Sequence, residues 1–231
     1  LNTKFKHVLS SFVFMSGLFI MALGFVFMIQ AKIGVAPWDV LHLGLVSTVG
    51  WTVGIWSQLL GLILLVITIV LTRRMMGIGA FLNMFFLGFF IDLIMSWGWI
   101  HEASSLVESG LWFVMGLVIS CFGTGMYIAP GWGAGPRDGF MLALAERTQW
   151  PFRRVRTIME MAVLVLGWVL GGPVFIGTVI FCLTVGPICQ YFIGLWKRIL
   201  DKAIGRDADY ENINQRTLRI NHHDGTSRAV R

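Results

Sequence analysis

A helical membrane crossing needs about 20 consecutive apolar residues, and this chain offers six such runs. They lie at approximately 8–30, 52–72, 77–99, 110–130, 155–172 and 174–196. Two shorter apolar stretches, 37–49 and 136–149, follow the first and fourth runs. At 1.5 Å per residue, a helix of that length reaches only about 20 Å, too short to cross, so these stretches are read as re-entrant or interfacial. The expected fold class is an all-α membrane protein with six transmembrane helices and two short ones.

Composition agrees. Of 231 residues, 56% are hydrophobic and only 13% charged, about half the charge of an ordinary soluble domain. That leaves too little polar surface for a water-soluble globule and excludes soluble enzymes, fibres and disordered regulators. The net charge of +6 does not point to nucleic acid, because the basic residues flank the apolar runs and form no aromatic-basic stripe. Cys121, Cys182 and Cys189 lie inside apolar runs, without CxxC spacing, and read as small core residues. Lys4 and Lys6 precede an apolar run from Val8 to Ile29 that is too long for a signal peptide and lacks its cleavage site, so it reads as a retained first span.

Charge sets the orientation. With the N-terminus inside, the inner segments carry Lys4, Lys6, Arg73, Arg74, Arg137, Arg147, Arg153, Arg154, Arg156, Lys197, Arg198 and Lys202, and the outer segments carry Lys32 alone. This positive-inside bias predicts two cytoplasmic termini. From Trp196 to Arg206 the sequence places Ile199, Leu200, Ala203 and Ile204 on one helical face, as in a short helix lying on the inner membrane surface. The polar tail beyond Asp207 is expected to hold little fixed structure, and its His222 and His223 read as solvated.

The chain also resembles itself. At an offset of 99, Gly17 meets Gly116, Gly24 meets Gly123, Gly34 meets Gly133, Pro37 meets Pro136, Asp39 meets Asp138 and Trp51 meets Trp150. At an offset of 98, Gly79 meets Gly177 and Gly88 meets Gly186. Each copy holds three crossings and one short segment. Three is odd, so the second copy enters the membrane inverted, an arrangement that recurs in secondary transporters. The expected organisation is a first repeat at 1–99, an inverted repeat at 100–196 and a cytoplasmic tail at 197–231.

The short segments carry the candidate site. Gly34-Val-Ala-Pro-Trp-Asp39 and Gly133-Ala-Gly-Pro-Arg-Asp138 share one logic: glycine allows a tight extended approach, proline suits the first helical position, and the aspartate complements the helix dipole. Such a motif is either a well-made helix start at the interface or a half-helix beginning within the membrane, with Asp39 and Asp138 as paired cation or proton sites. Arg137 offers Asp138 an internal ion pair, whereas Trp38 fills the matching place in the first copy. His42 shares a face with Asp39, and Asp92 in the third span is the remaining member of an expected outer Asp39/His42/Asp92 proton relay. Glu160 is expected to pair with Arg156. The glycines spaced by seven read as helix-packing positions, with dimerisation a secondary role. No catalytic motif, cofactor site or metal site stands out.

The paired GxxPxD segments, Gly34-Val-Ala-Pro-Trp-Asp-Val-Leu-His-Leu-Gly44 and Gly133-Ala-Gly-Pro-Arg-Asp-Gly-Phe-Met-Leu-Ala143, resemble the YczE/YyaS/YitT group of bacterial membrane proteins, and the YczE branch most. The resemblance covers residues 8–196 and implies a bacterial inner-membrane protein, without naming a substrate. The leading functional expectation is a small transporter or channel-like protein, not an enzyme, acting on an unknown small molecule or ion through Pro37, Asp39, His42, Asp92, Pro136, Arg137 and Asp138. A non-transporting membrane scaffold is the second.

Overall fold

The computed structural model describes residues 3–204 apart from Ala134. Those residues form eight α-helices and no strand: α1 (Thr3–Ala31), α2 (Pro37–Val49), α3 (Val53–Thr72), α4 (Ile78–Trp97), α5 (Leu106–Ile128), α6 (Pro136–Thr148), α7 (Phe152–Val169) and α8 (Ile176–Ile204). The ends follow local chemistry. Thr52 caps α3 by accepting from the Ile55 N–H, and Ser105 caps α5 by accepting from the Glu108 N–H, each satisfying an otherwise orphaned donor. Arg73 and Gln149 close α3 and α6 in left-handed conformations. Proline stands at the first turn of both short helices, where its missing N–H costs nothing.

Five helices are long and apolar enough to cross a membrane: α1, α3, α4, α5 and α8. The expected fifth run is α7, and Arg153, Arg154, Arg156 and Glu160 within its 18 residues keep it out of that set. The exposed surface is apolar, with Leu62, Ile63, Val66, Ile67 and Val70 on α3 and Leu111, Val114 and Met115 on α5, as lipid contact requires.

The centre of the molecule is the α1–α5 pair. Cβ atoms built on Gly17, Gly24, Gly116 and Gly123 would stand 3.0, 2.7, 2.6 and 2.7 Å from carbonyl oxygens of the facing glycines, so these positions bring the two backbones into contact. Phe14, Leu18, Ala22 and Val26 of α1 meet Phe113, Leu117 and Cys121 of α5 in the main core. Around this pair, α4 packs on α1 and α8 on α5, while α2 packs on α7 and α6 on α3.

One expectation needs correction. The short surface helix expected at 196–206 is not separate: its residues up to Ile204 are the last turns of α8, and Leu200 and Ile204 are buried against Val13, Met126 and Ala129. Of the expected apolar face, Ile199 and Ala203 are exposed, and α1 and α5 cover the other two residues. The polar tail, with His222 and His223, lies outside the described residues.

Candidate functional site

Extended backbone precedes each short helix. Gly34 and Gly133 hold φ of 127° and 119°, a region that disfavours any residue with a Cβ. Each stretch hangs on the first turn of a helix from the other half of the chain. The Gly177 N–H donates to the Ile33 carbonyl at 2.7 Å, and the Gly79 N–H donates to the Trp132 carbonyl at 3.1 Å. The donors are matched in sequence at an offset of 98 and the acceptors at an offset of 99. The Thr178 hydroxyl also accepts from the Val35 N–H at 3.3 Å.

This anchoring brings the first turns of α2 and α6 together. The Arg137 guanidinium lies over the Trp38 ring, 5.0 Å from its centroid, in cation–π range. Its Nη2 stands 3.3 Å from His42 Nε2. On the other side of the ring, His42 Nδ1 is 3.4 Å from Asp39 Oδ1. Asp39 and His42 are 1% and 0% exposed. Neither Asp39 oxygen nor His42 Nδ1 has a partner in hydrogen-bond geometry; the 3.4 Å contact is close but misaligned. A buried carboxylate without donors is costly, and the Arg137 charge beyond the imidazole is what offsets it.

Arg137 also lines a cavity of about 150 Å³ between the two halves, with Ala36, Pro37 and Trp38 of the first and Gly135, Asp138, Arg156 and Glu160 of the second. That is space for roughly five waters at the liquid volume of ~30 Å³ each. Ser120, Thr124, Tyr127 and Asn83 add polar atoms to its wall. A wider cleft of about 430 Å³ between the end of α3 and α6 is lined by Arg74, Glu146 and Arg147 and holds none of the candidate residues.

The sequence-predicted residues thus separate. Pro37, Arg137 and Asp138 line the cavity; Arg137 reaches His42, and His42 stands beside Asp39, while Pro136 opens α6 against Gly61 of α3. Asp92 does not join them: its oxygens accept from the Thr52 hydroxyl at 2.5 Å and the Gly54 N–H at 2.8 Å, so it fastens α4 to the start of α3, and the expected Asp39/His42/Asp92 relay is not assembled. Arg137 does not pair with Asp138, because adjacent helical residues do not face each other; it turns to His42 and Trp38 instead. Arg156 and Glu160 do pair, at 2.8 Å. The cysteines hold something the sequence did not show: Cys121 and Cys189 Sγ atoms lie 3.0 Å apart across α5 and α8, a meeting of residues 68 positions apart that spacing alone does not reveal.

Residues 8–194 match a family of unknown function, DUF6198. The chain belongs to this family. It is 36% identical over 195 residues to an uncharacterized membrane protein of Bacillus subtilis, YczE, covering 84% of this chain and 89% of the relative. YyaS of the same organism is 30% identical over 186 residues, covering 79% and 91%. An uncharacterized Haemophilus influenzae protein is 28% identical over 180 residues, covering 78% and 81%. No solved structure matches. With five apolar helices of crossing length among the described residues and a relative named as a membrane protein, the chain is a membrane protein.

Proposed function

We propose that the protein is a small transporter of the bacterial inner membrane, with six crossings in two inverted repeats and both termini in the cytoplasm. Its ligand is a small molecule or ion handled between the first turns of α2 and α6. In this reading α7 is the sixth crossing, its Arg153 and Arg154 lying at the inner interface and its Arg156–Glu160 pair facing the cavity. The observation that carries the reading is the contact of Arg137 with His42 and Trp38 beside a cavity shared by both halves. Inverted repeats with interrupted helices at their interface are the usual build of alternating-access carriers, and the crossed hydrogen bonds from Gly177 and Gly79 support the same two-fold plan.

Cys189 lines the cavity and reports on access to it. With Cys121 and Cys182 replaced by Ser, alternating access predicts that a membrane-impermeant thiol reagent reaches Cys189 from either face. Asp39→Asn and Asp138→Asn should each shift the two rates in opposite directions, by about threefold or more, an occupancy change of roughly 0.7 kcal/mol. Labelling from one face only, at rates unmoved by both substitutions, would describe a static cavity and contradict transport.

A further inference from the structure

The imidazole of His42 sits between a group that only donates and a group that, when ionised, only accepts. Arg137 has five N–H donors and no acceptor, so the Nη2 to Nε2 contact of 3.3 Å requires a lone pair on Nε2. The ring proton of neutral His42 is therefore on Nδ1, facing Asp39 Oδ1 at 3.4 Å. Asp39, on the same helix, and Arg137, from α6, are the charged groups acting on this ring. α3 and α7 also pack on α2, and α3 has no ionisable side chain within its helix. On α7 the ionisable residues are Arg153, Arg154, Arg156 and Glu160, whereas α2 meets α7 near Gly167.

We propose that His42 Nε2 is the coupling-proton site of this carrier and that a proton there and the Arg137 contact exclude one another. A proton on Nε2 removes the lone pair that Arg137 uses and sets two cations 3.3 Å apart, while the resulting imidazolium gives the donor-less Asp39 a cationic partner. The guanidinium must then leave His42 for the cavity it already lines. Because Arg137 makes the one polar side-chain link between α2 and α6 among the described residues, protonation unfastens the two half-helices from each other. Lowering the pH breaks the link and raising it restores the link. The coupling role rests on the transport reading; the mutual exclusion does not.

The test is nitrogen NMR of the full chain in lipid nanodiscs with ring-labelled histidine, the His42 signal assigned by its loss in His42→Gln. At alkaline pH the wild type should show an Nδ1–H, Nε2-bare ring. Arg137→Met should raise the protonation midpoint of His42 by at least about one pH unit, tenfold in proton affinity. An Nε2–H ring in the wild type would overturn the proposal, as would a midpoint moved by less than a few tenths in Arg137→Met. The wild-type tautomer decides the matter if that variant does not fold. In proteoliposomes an imposed pH gradient should change Cys189 labelling in wild type but not in His42→Gln. A correct tautomer and midpoint shift with no gradient response in any variant would leave the exclusion standing and defeat the transport reading instead.

Discussion

Matched sequence positions in the two halves of the chain are packed differently. In the first, α3 packs directly on α4. A Cβ on Gly54 would lie 2.5 Å from the Asp92 carboxyl carbon and closer still to the Gly88 carbonyl, and Asp92 bonds the Gly54 N–H and the Thr52 hydroxyl. In the second half, α7 and α8 scarcely touch. Gly186, the match of Gly88, has nothing within 4 Å of its missing Cβ, and Gln190, the match of Asp92, is exposed. Arg156 and Glu160 of α7 and Val185 and Cys189 of α8 line the cavity on this side. Matched sequence positions therefore do not ensure matched seams. The seam forms where small residues and a capping carboxylate remain, and it is absent where an ion pair and an exposed amide stand instead.

The largest effect that would break this contrast comes from filling the closed seam. Gly54→Leu should destabilise the protein by about 3 kcal/mol, the upper range for overpacking, while Gly186→Leu should stay within about 0.5 kcal/mol. Thermal unfolding of the two variants in the same detergent measures the difference. Equal losses would mean that α7 and α8 pack as tightly as α3 and α4. A smaller effect sharpens the same point. Asp92→Ala removes two hydrogen bonds to a charged acceptor and should cost about 2 kcal/mol, whereas Gln190→Ala should be neutral within about 0.5 kcal/mol. Chemical-denaturant midpoints of the pair would show it, and parity between them would remove Asp92 from the seam.

Much of this fold was legible in the residues. The short stretch expected at 37–49 is α2 residue for residue, and that expected at 136–149 is α6 with one residue fewer, because proline fixes the first turn and Gly50 and Gln149, just past the ends, take positive φ. The glycines spaced by seven mark the α1–α5 contact because two membrane helices approach closely only along small residues. The role of Asp92 was not legible. Its partners lie 38 and 40 positions away, and a carboxylate inside a span looks the same whether it caps a neighbouring helix or binds a ligand. Arg137 was misread for a related reason: a neighbour in sequence is not a neighbour on a helix. Its true partners, Trp38 and His42, needed the fold to bring α2 and α6 nose to nose. The end of α8 failed similarly, since an apolar face names no partner.

The central claim is that these matched short helices enter from opposite sides and meet at their first turns. Val49 and Thr148 are matched positions at the far ends of α2 and α6, and both are exposed. In a chain with Cys121, Cys182 and Cys189 replaced by Ser, Val49→Cys should react with an impermeant reagent only from outside, and Thr148→Cys only from the cytoplasmic side. Reaction of both from one common side would contradict the inverted arrangement.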